Sequence, residues 1–402
     1  MQSLEHLRVI DMSQVMAGPF CAMLLADHGA DVVKVEPIDV GDATRRSLGT
    51  VQPWGESAAF LAVNRNKRSI ALDLKAVAGR EVLHRLAGSA DVLVESYRPG
   101  TAARLGVGFD DLAAINPRLV YASISGFGAT GPYAERGGYD IITQGMSGIM
   151  SVTGHPGDAP AKAGVPLTDV GAGMLCAFGI LAALAARERT GAGQLVDTSL
   201  YEAGLSYAGW ESTELWAEGE TPGPLGSAHR MSAPYQAIKA ADGYFTLGAF
   251  EDRLWQEAAA VFGRPEWTDD PRFTTGPDRV ANRGELIAEI EAVSATKPAA
   301  FWLERLHVAG VPAGPVSSYA EALSDEHTLA REMVVEAEHA DAGRVKMLGI
   351  PVKLSATPGA VRRAPPRLGE HTDEIMGELG YRDEEIAGLR ARDVIAGSPN
   401  GA

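Results

Sequence analysis

Short apolar runs recur through the first two hundred residues, each separated from the next by a stretch of helical length. Leu7 to Asp11, Asp31 to Glu36, Ser69 to Leu72, Asp91 to Glu95, Leu119 to Ser123 and Gln194 to Ser199 all read as strands. Helical patterns fill the gaps: FCAMLLADH after Pro19, closed by Gly29, and segments near 77–87 and 110–115. Proline near a helix start and glycine just past its end are the usual punctuation. Strands that are apolar throughout, alternating with helices, predict a parallel sheet covered on both faces. The run after Ser199 continues as a helix to about Ala217.

The rhythm breaks at GETPGPLGSAHRMSAP. At about 150 residues per domain, a 402-residue chain has room for two or three units. The predicted division is 1–218, a linker at 219–229, a second unit at 230–322 and a return to the first over 323–402. The second unit opens on a strand at Tyr244 to Leu247, with helices near 251–262, 280–294 and 298–309, and closes at GVPAGPV. Strands and a final helix near 372–380 follow, and the closing GSPNGA reads as a tail without regular structure.

The net charge of −16 argues against nucleic-acid binding. Its distribution is uneven, because Lys34 to Arg104 holds eleven Lys or Arg against eight Asp or Glu. Either this stretch meets an anion or it forms solvated helix faces. Cys21 and Cys176 are the only cysteines and sit among apolar residues, which fits a reducing, cytoplasmic setting. The N-terminus lacks the basic-then-apolar pattern of a signal peptide. Val170 to Ala186 carries no charge. As a helix it would reach roughly 25 Å, short of the ~30 Å hydrocarbon core, so it reads as a buried central helix and no membrane span is expected.

Three stretches offer chemistry. Ser13 to Pro19 (SQVMAGP) joins a strand to a helix, where backbone N–H groups can face an anion; an ordinary turn is the alternative. No GxGxxG or P-loop pattern is present. NRNKRSIALDLK, residues 64–75, sets three basic groups within four positions, suited either to phosphates or to a basic surface turn. Asp169 opens the long apolar run. If Thr168 caps that helix, Asp169 lies in its first turn, where the helix dipole would keep it ionised and available as a nucleophile. Acidic residues are also common at such positions for structural reasons alone. The histidines show no metal-ligand spacing, and there is no GxSxG elbow.

Several of these stretches together resemble the class III CoA-transferases, the CaiB/BaiF group that includes formyl-CoA and carnitine CoA-transferases. They are VIDMSQVMAGPFCAMLLADHGADVVKVEP, GDATRR, NRNKRSIALDLK, DVLVESYRPGTAARLG, NPRLVYASISGFGATGPY, PLTDVGAGMLCAFGILAALAARERTGAGQLVDTSLYEA, VPAGPV and LGEHTDEIM, spread in order over nearly the whole chain. The resemblance implies an α/β fold: a large Rossmann-like domain formed by both chain ends, a smaller inserted α+β domain, and two subunits interlocked like chain links.

It also implies roles. Asp169 corresponds to the family's nucleophilic aspartate. Coenzyme A, a substrate and not a permanently bound cofactor, would meet Val15, Met16 and Ala17, then Leu72, Asp73 and Lys75, then Ser96, Tyr97, Arg98 and Arg104. Lys75 and Arg104 would take the phosphates. Gln14, Tyr139, Asp140 and Gly226 would lie at the acyl end. The chain departs from formyl-CoA transferase at Met16, Pro37 and Ser96, and GPLGSAHRMSAPY stands in the region of that enzyme's glycine run. The same fold hosts α-methylacyl-CoA racemases, in which a histidine–aspartate pair works with the second aspartate. Tyr139 occupies the histidine's place, and a tyrosine with a pKa near ~10 is a poor base. Deuterium wash-in at Cα would mark a racemase. A non-catalytic CoA-binding homologue would tolerate loss of Asp169.

Overall fold

The computed structural model describes residues 1–52 and 55–397. The chain folds into two compact units. The first comprises Met1–Ile149, Lys162–Thr213 and Glu326–Ala402; the second comprises Met150–Ala161 and Glu214–Asp325. Residues 150–161, placed by sequence in the first domain, therefore belong to the second unit. Residues 398–402 of the tail lie outside the described residues.

The first unit is built on a sheet of β1 (Arg8–Asp11), β2 (Asp31–Glu36), β3 (Lys67–Leu72), β4 (Val92–Glu95), β5 (Val120–Ser125), β6 (Leu195–Ser199) and β12 (Ile395–Ala396). Their order is β12-β3-β2-β1-β4-β5-β6. All neighbours are parallel except β12, which runs antiparallel to β3. Because β1 pairs with both β2 and β4, the connections reverse direction beside it. In such a sheet the crevice at the carboxyl ends of the switch strands is where ligands bind.

Alternate residues of β1, β2, β4 and β5 enter opposite cores, which is why these strands read as continuously apolar. Ile10, Val33, Ile70 and Leu93 face one side, where they meet Val82, Leu83 and Leu86 of the helix Val77–Gly88. Ile375, Met376, Ile386 and Leu389 close the same core from two C-terminal helices, Thr372–Glu378 and Asp383–Arg390. The sequence pattern predicts only the first of these two. Val9, Val32, Val92 and Val120 face the other side, under the first helix, Ala17–Asp27, and the long helix, Leu167–Thr190. Cys21 and Cys176 are both fully buried there, and the neighbouring Cys176, then burial, push the Cys21 thiol well up.

The long helix is only half as buried as the sequence suggests. Gly171, Ala172, Cys176, Ala177 and Ile180 are buried, but Met174, Leu175, Phe178 and Leu181 stand on the surface. The helix after β6 is also broken, into Leu200–Ser206 and Gly209–Glu218.

The second unit holds a three-stranded antiparallel sheet of β7 (Tyr235–Ala240), β8 (Gly243–Gly248) and β9 (Ala313–Pro315). Its core gathers Phe245, Trp255, Phe262, Trp267, Phe273 and Trp302 between that sheet and its helices. In the first unit, β10 (Val334–His339) and β11 (Gly343–Leu348) form a separate hairpin.

Candidate active site

The turn after β1 is defined by side chains. Asp11 Oδ1 accepts from the Ser13 amide at 3.0 Å and also holds the Ser13 hydroxyl. The Gln14 amide donates to Ser96 Oγ, at the end of β4, at 3.0 Å, which joins the two switch strands at their carboxyl ends. Val15 takes a left-handed backbone, φ 73°. Pro19 is the third helical residue, so its missing N–H falls among groups that a helix start leaves unpaired in any case. A Cβ on Gly18 would strike the Ser13 side chain at 2.2 Å, so only glycine lets the helix begin so close to β1.

Asp169 is the third residue of the long helix, with Pro166 at the cap position that the sequence pattern assigns to Thr168. Thr168 is buried instead, its hydroxyl 2.8 Å from that of Thr143. Asp140 opens the helix Asp140–Met146 and fixes this corner. Its Oδ1 accepts from the Thr168 amide and hydroxyl, both at 2.9 Å, and its Oδ2 accepts from Gln144 Nε2 at 2.7 Å. No hydrogen bond is made to the Asp169 carboxyl among the described residues. Burial first, and then the charge of Asp140, push the Asp169 carboxyl up to about 7. The expectation that the helix dipole keeps it ionised is thus corrected: desolvation and a like charge raise it against the dipole.

These elements enclose a cleft of about 210 Å³. It is lined by Gln14, Val15, Met16 and Ala17 from the first turn; Ser96, Tyr97 and Arg98 after β4; and Tyr139 and Asp169. Nine sequence-predicted residues thus meet in one place. The Tyr97 amide donates to Glu95 Oε2 at 2.6 Å, while burial, then Glu95, push its phenol up to about 12. Sequence reasoning missed Gly126, Arg136, Gly137 and Gly138 on the far wall. A Cβ on Gly138 would lie 2.5 Å from Gly126 Cα, so the glycines of SGFG and RGGY let two backbones cross there. That pairing was the available signal. Arg136 stacks on Tyr133, its guanidinium 3.9 Å from the ring centre.

Other predicted residues lie elsewhere. Leu72 is buried in the core and paired with Ile395, so its side chain is not available to a ligand. Asp73 Oδ1 accepts from the Lys75 amide at 2.9 Å, shaping the turn after β3. Lys75 and Arg104 are exposed and outside the cleft lining. Lys75 follows β3, two strands from β1, or roughly 10 Å along the same carboxyl edge of the sheet. Asp140 is occupied by Thr168 and Gln144. Gly226 belongs to the second unit, where its left-handed backbone, φ 62°, packs on His155.

The basic stretch 64–75 receives the largest correction. Arg65 pairs with Asp27 at 2.7 Å, Lys67 with Asp11 at 2.9 Å, and Arg68 with Asp31 at 2.6 Å, all three cations being buried. They neutralise acidic groups inside the fold and do not face a ligand.

Residues 4–372 match the CoA-transferase family III. The chain is similar to an acetyl-CoA:oxalate CoA-transferase of Acetobacter aceti, at 41% identity over 93% of this chain and 95% of that protein. It is 37% identical to a succinyl-CoA:glutarate CoA-transferase of Mus musculus, over 98% of this chain and 91% of the relative. Among solved structures, a CAIB/BAIF family protein from Brucella suis superposes with a TM-score of 0.84 at 37% identity, covering 94% of this chain and 99% of that one.

Proposed function

The chain belongs to CoA-transferase family III and moves CoA between carboxylic acids, and we propose that it does so covalently through Asp169. The supporting observation is a carboxyl with no hydrogen-bond donor upon it, set in the switch-point cleft beside the first βα turn. Once ionised, such a group is a stronger nucleophile than an ordinary aspartate.

An Asp169 oxygen attacks the thioester carbonyl and CoA thiolate departs, leaving a mixed anhydride. The thiolate then attacks the aspartyl carbonyl, releasing the donor acid and forming an aspartyl-CoA thioester. The acceptor carboxylate attacks that thioester, again freeing the thiolate and forming a second anhydride. Thiolate attack on the acceptor's acyl carbon gives the new acyl-CoA and restores Asp169. The unpaired amides at the start of the first helix supply positive potential to the ligand in the cleft. Asp140, which stands beside Tyr139 where the racemases have the aspartate of their histidine–aspartate pair, has both oxygens engaged, which favours transfer.

Oxalate and glutarate appear in the names of relatives, so dicarboxylic acids are the proposed substrate class. Arg98 and Arg136, both exposed in the cleft wall, are suited to the second carboxylate. The working form is proposed to be an interlocked homodimer.

Intact-mass analysis after incubation with a panel of acyl-CoAs and hydroxylamine or borohydride tests the mechanism. The expected modification maps to the Asp169 peptide and disappears in Asp169→Asn, together with at least ~10³ of the turnover. Normal transfer by Asp169→Asn would refute the covalent route.

A further inference from the structure

The GDATRR stretch takes no part in the bond-making steps, yet it is tied to the turn that lines the cleft. Arg45 is locked onto Glu36 at 2.7 Å and stacks 3.8 Å from the Phe60 ring centre. Gly41, at φ 66°, lets the chain pass it, since a Cβ there would come within 2.7 Å of Arg45 Cδ. Asp42 is thereby carried into the interior, 1% exposed.

Asp42 Oδ1 accepts from the Thr44 amide at 2.9 Å, the Thr44 hydroxyl at 2.7 Å and the Val15 amide at 3.3 Å. Its Oδ2 lies 2.9 Å from Lys34 Nζ. Burial raises the Asp42 carboxyl, but Lys34 and the Thr44 donors more than offset this and bring it to about 2. Lys34 also donates to the Ser13 carbonyl at 3.0 Å. On the other side of the turn, Lys67 donates to the Pro19 carbonyl at 2.8 Å, as well as to Asp11 and Asn64. Two buried ammonium groups and two buried carboxylates therefore grip both ends of residues 13–19.

Between those anchors stands Val15, a β-branched residue in the left-handed region that such residues avoid. A valine keeps that conformation only where its surroundings impose it. Among the described residues, the hydrogen bond that Val15 itself makes is from its amide to Asp42 Oδ1.

We propose that Asp42, neutralised by Lys34, is a positioning residue for CoA transfer: it fixes Val15 in the left-handed conformation and so aims the Gln14–Ala17 backbone into the cleft shared with Asp169. This rests on the reading of that cleft as the acyl-CoA site.

Asp42→Ala, Val15→Gly and the double variant are compared in the full-length protein. CoA affinity is measured by calorimetry, and acyl-CoA KM and kcat in the transfer assay. Asp42→Ala is expected to weaken CoA binding and raise KM about tenfold or more, with kcat changing less than about threefold. Adding Val15→Gly is expected to restore most of the affinity, because glycine populates the left-handed region without a clamp. A core residue that acted only on stability would not be rescued at Val15. Unchanged CoA affinity in Asp42→Ala, or a loss that glycine does not reduce, overturns the proposal. Should Asp42→Ala not fold, recovery of a folded, CoA-binding double variant supports the clamp, and failure of the double variant to fold overturns it. A wild-type protein that does not bind CoA overturns the cleft reading, and this proposal with it.

Discussion

At the scale of the residue, Asp169 is governed by competing fields. Its place in a first helical turn favours the anion, whereas burial and the Asp140 carboxylate favour the acid, and the carboxyl settles at about 7. Nucleophilic attack needs the ionised form, so kcat/KM for acyl-CoA should fall as pH drops below about 7 and level off above it. Asp140→Asn removes the like charge but keeps an oxygen for the Thr168 amide, so the midpoint should move to lower pH. Burial is the larger cause and remains, so the move should be partial. A kcat/KM–pH profile for the variant with an unmoved midpoint would show that Asp140 does not tune Asp169. Little of this was legible in the sequence. The resemblance pointed to Asp169, but its protonation depends on a neighbour 29 positions earlier, brought close by folding. The buried cations escape a sequence reading for the same reason: the acid that neutralises Lys67 is Asp11, 56 residues away.

At the scale of the element, the cleft exists because two helices approach closely. A Cβ on Gly173 would sit 2.7 Å from the Ala17 carbonyl and 3.0 Å from Phe20 Cδ1, so glycine there sets the distance between the long helix and the first. Alanine inside a helix ordinarily gains up to ~1 kcal/mol over glycine. At Gly173 the sign should reverse: the clash is with backbone, and overpacking of this kind costs ~1–3 kcal/mol. Gly388, on an exposed helix with open space around it, serves as the matched control. Thermal unfolding should show Gly388→Ala raising Tm and Gly173→Ala lowering it, with weaker CoA binding only in the latter. Equal effects at both positions would contradict the close-packing account. Strands β1 to β5 were readable because their residues are buried nearly throughout. β7 was not, since YQAIKA is half-exposed and follows a proline-rich linker. β12 is two residues long and gains its place only through Leu72 and Ala71.

At the scale of the whole molecule, the long helix leaves an apolar face on the surface of the single chain. Met174, Phe178 and Leu181 recur at helical spacing on the side away from the core, and Phe178 is 72% exposed. Leu175 and Trp210 extend the apolar exposure in the same unit. Such faces mark association surfaces on proteins of this size, and the proposed homodimer gives this one a partner. In a two-fold interface each substitution acts twice. Phe178→Glu should therefore remove about 3–6 kcal/mol of burial from the pair, before the cost of placing two carboxylates in an apolar seam. Light scattering during size exclusion should find wild-type protein at twice the chain mass, unchanged on dilution, because interlocked chains cannot part without opening one of them. The variant, tested from the point of refolding, should appear as monomer or aggregate. A wild-type protein that is monomeric at micromolar concentration, or a Phe178→Glu variant that assembles normally, would remove this face from the interface. The outcome also bears on the site: Asp169 lies on the first turn of this helix, between two and three turns from Phe178, so the proposed interface and the proposed nucleophile share one helix. Loss of the partner should lower transferase turnover even with the cleft residues unchanged, while restoring the dimer by co-refolding with wild-type chains should recover it.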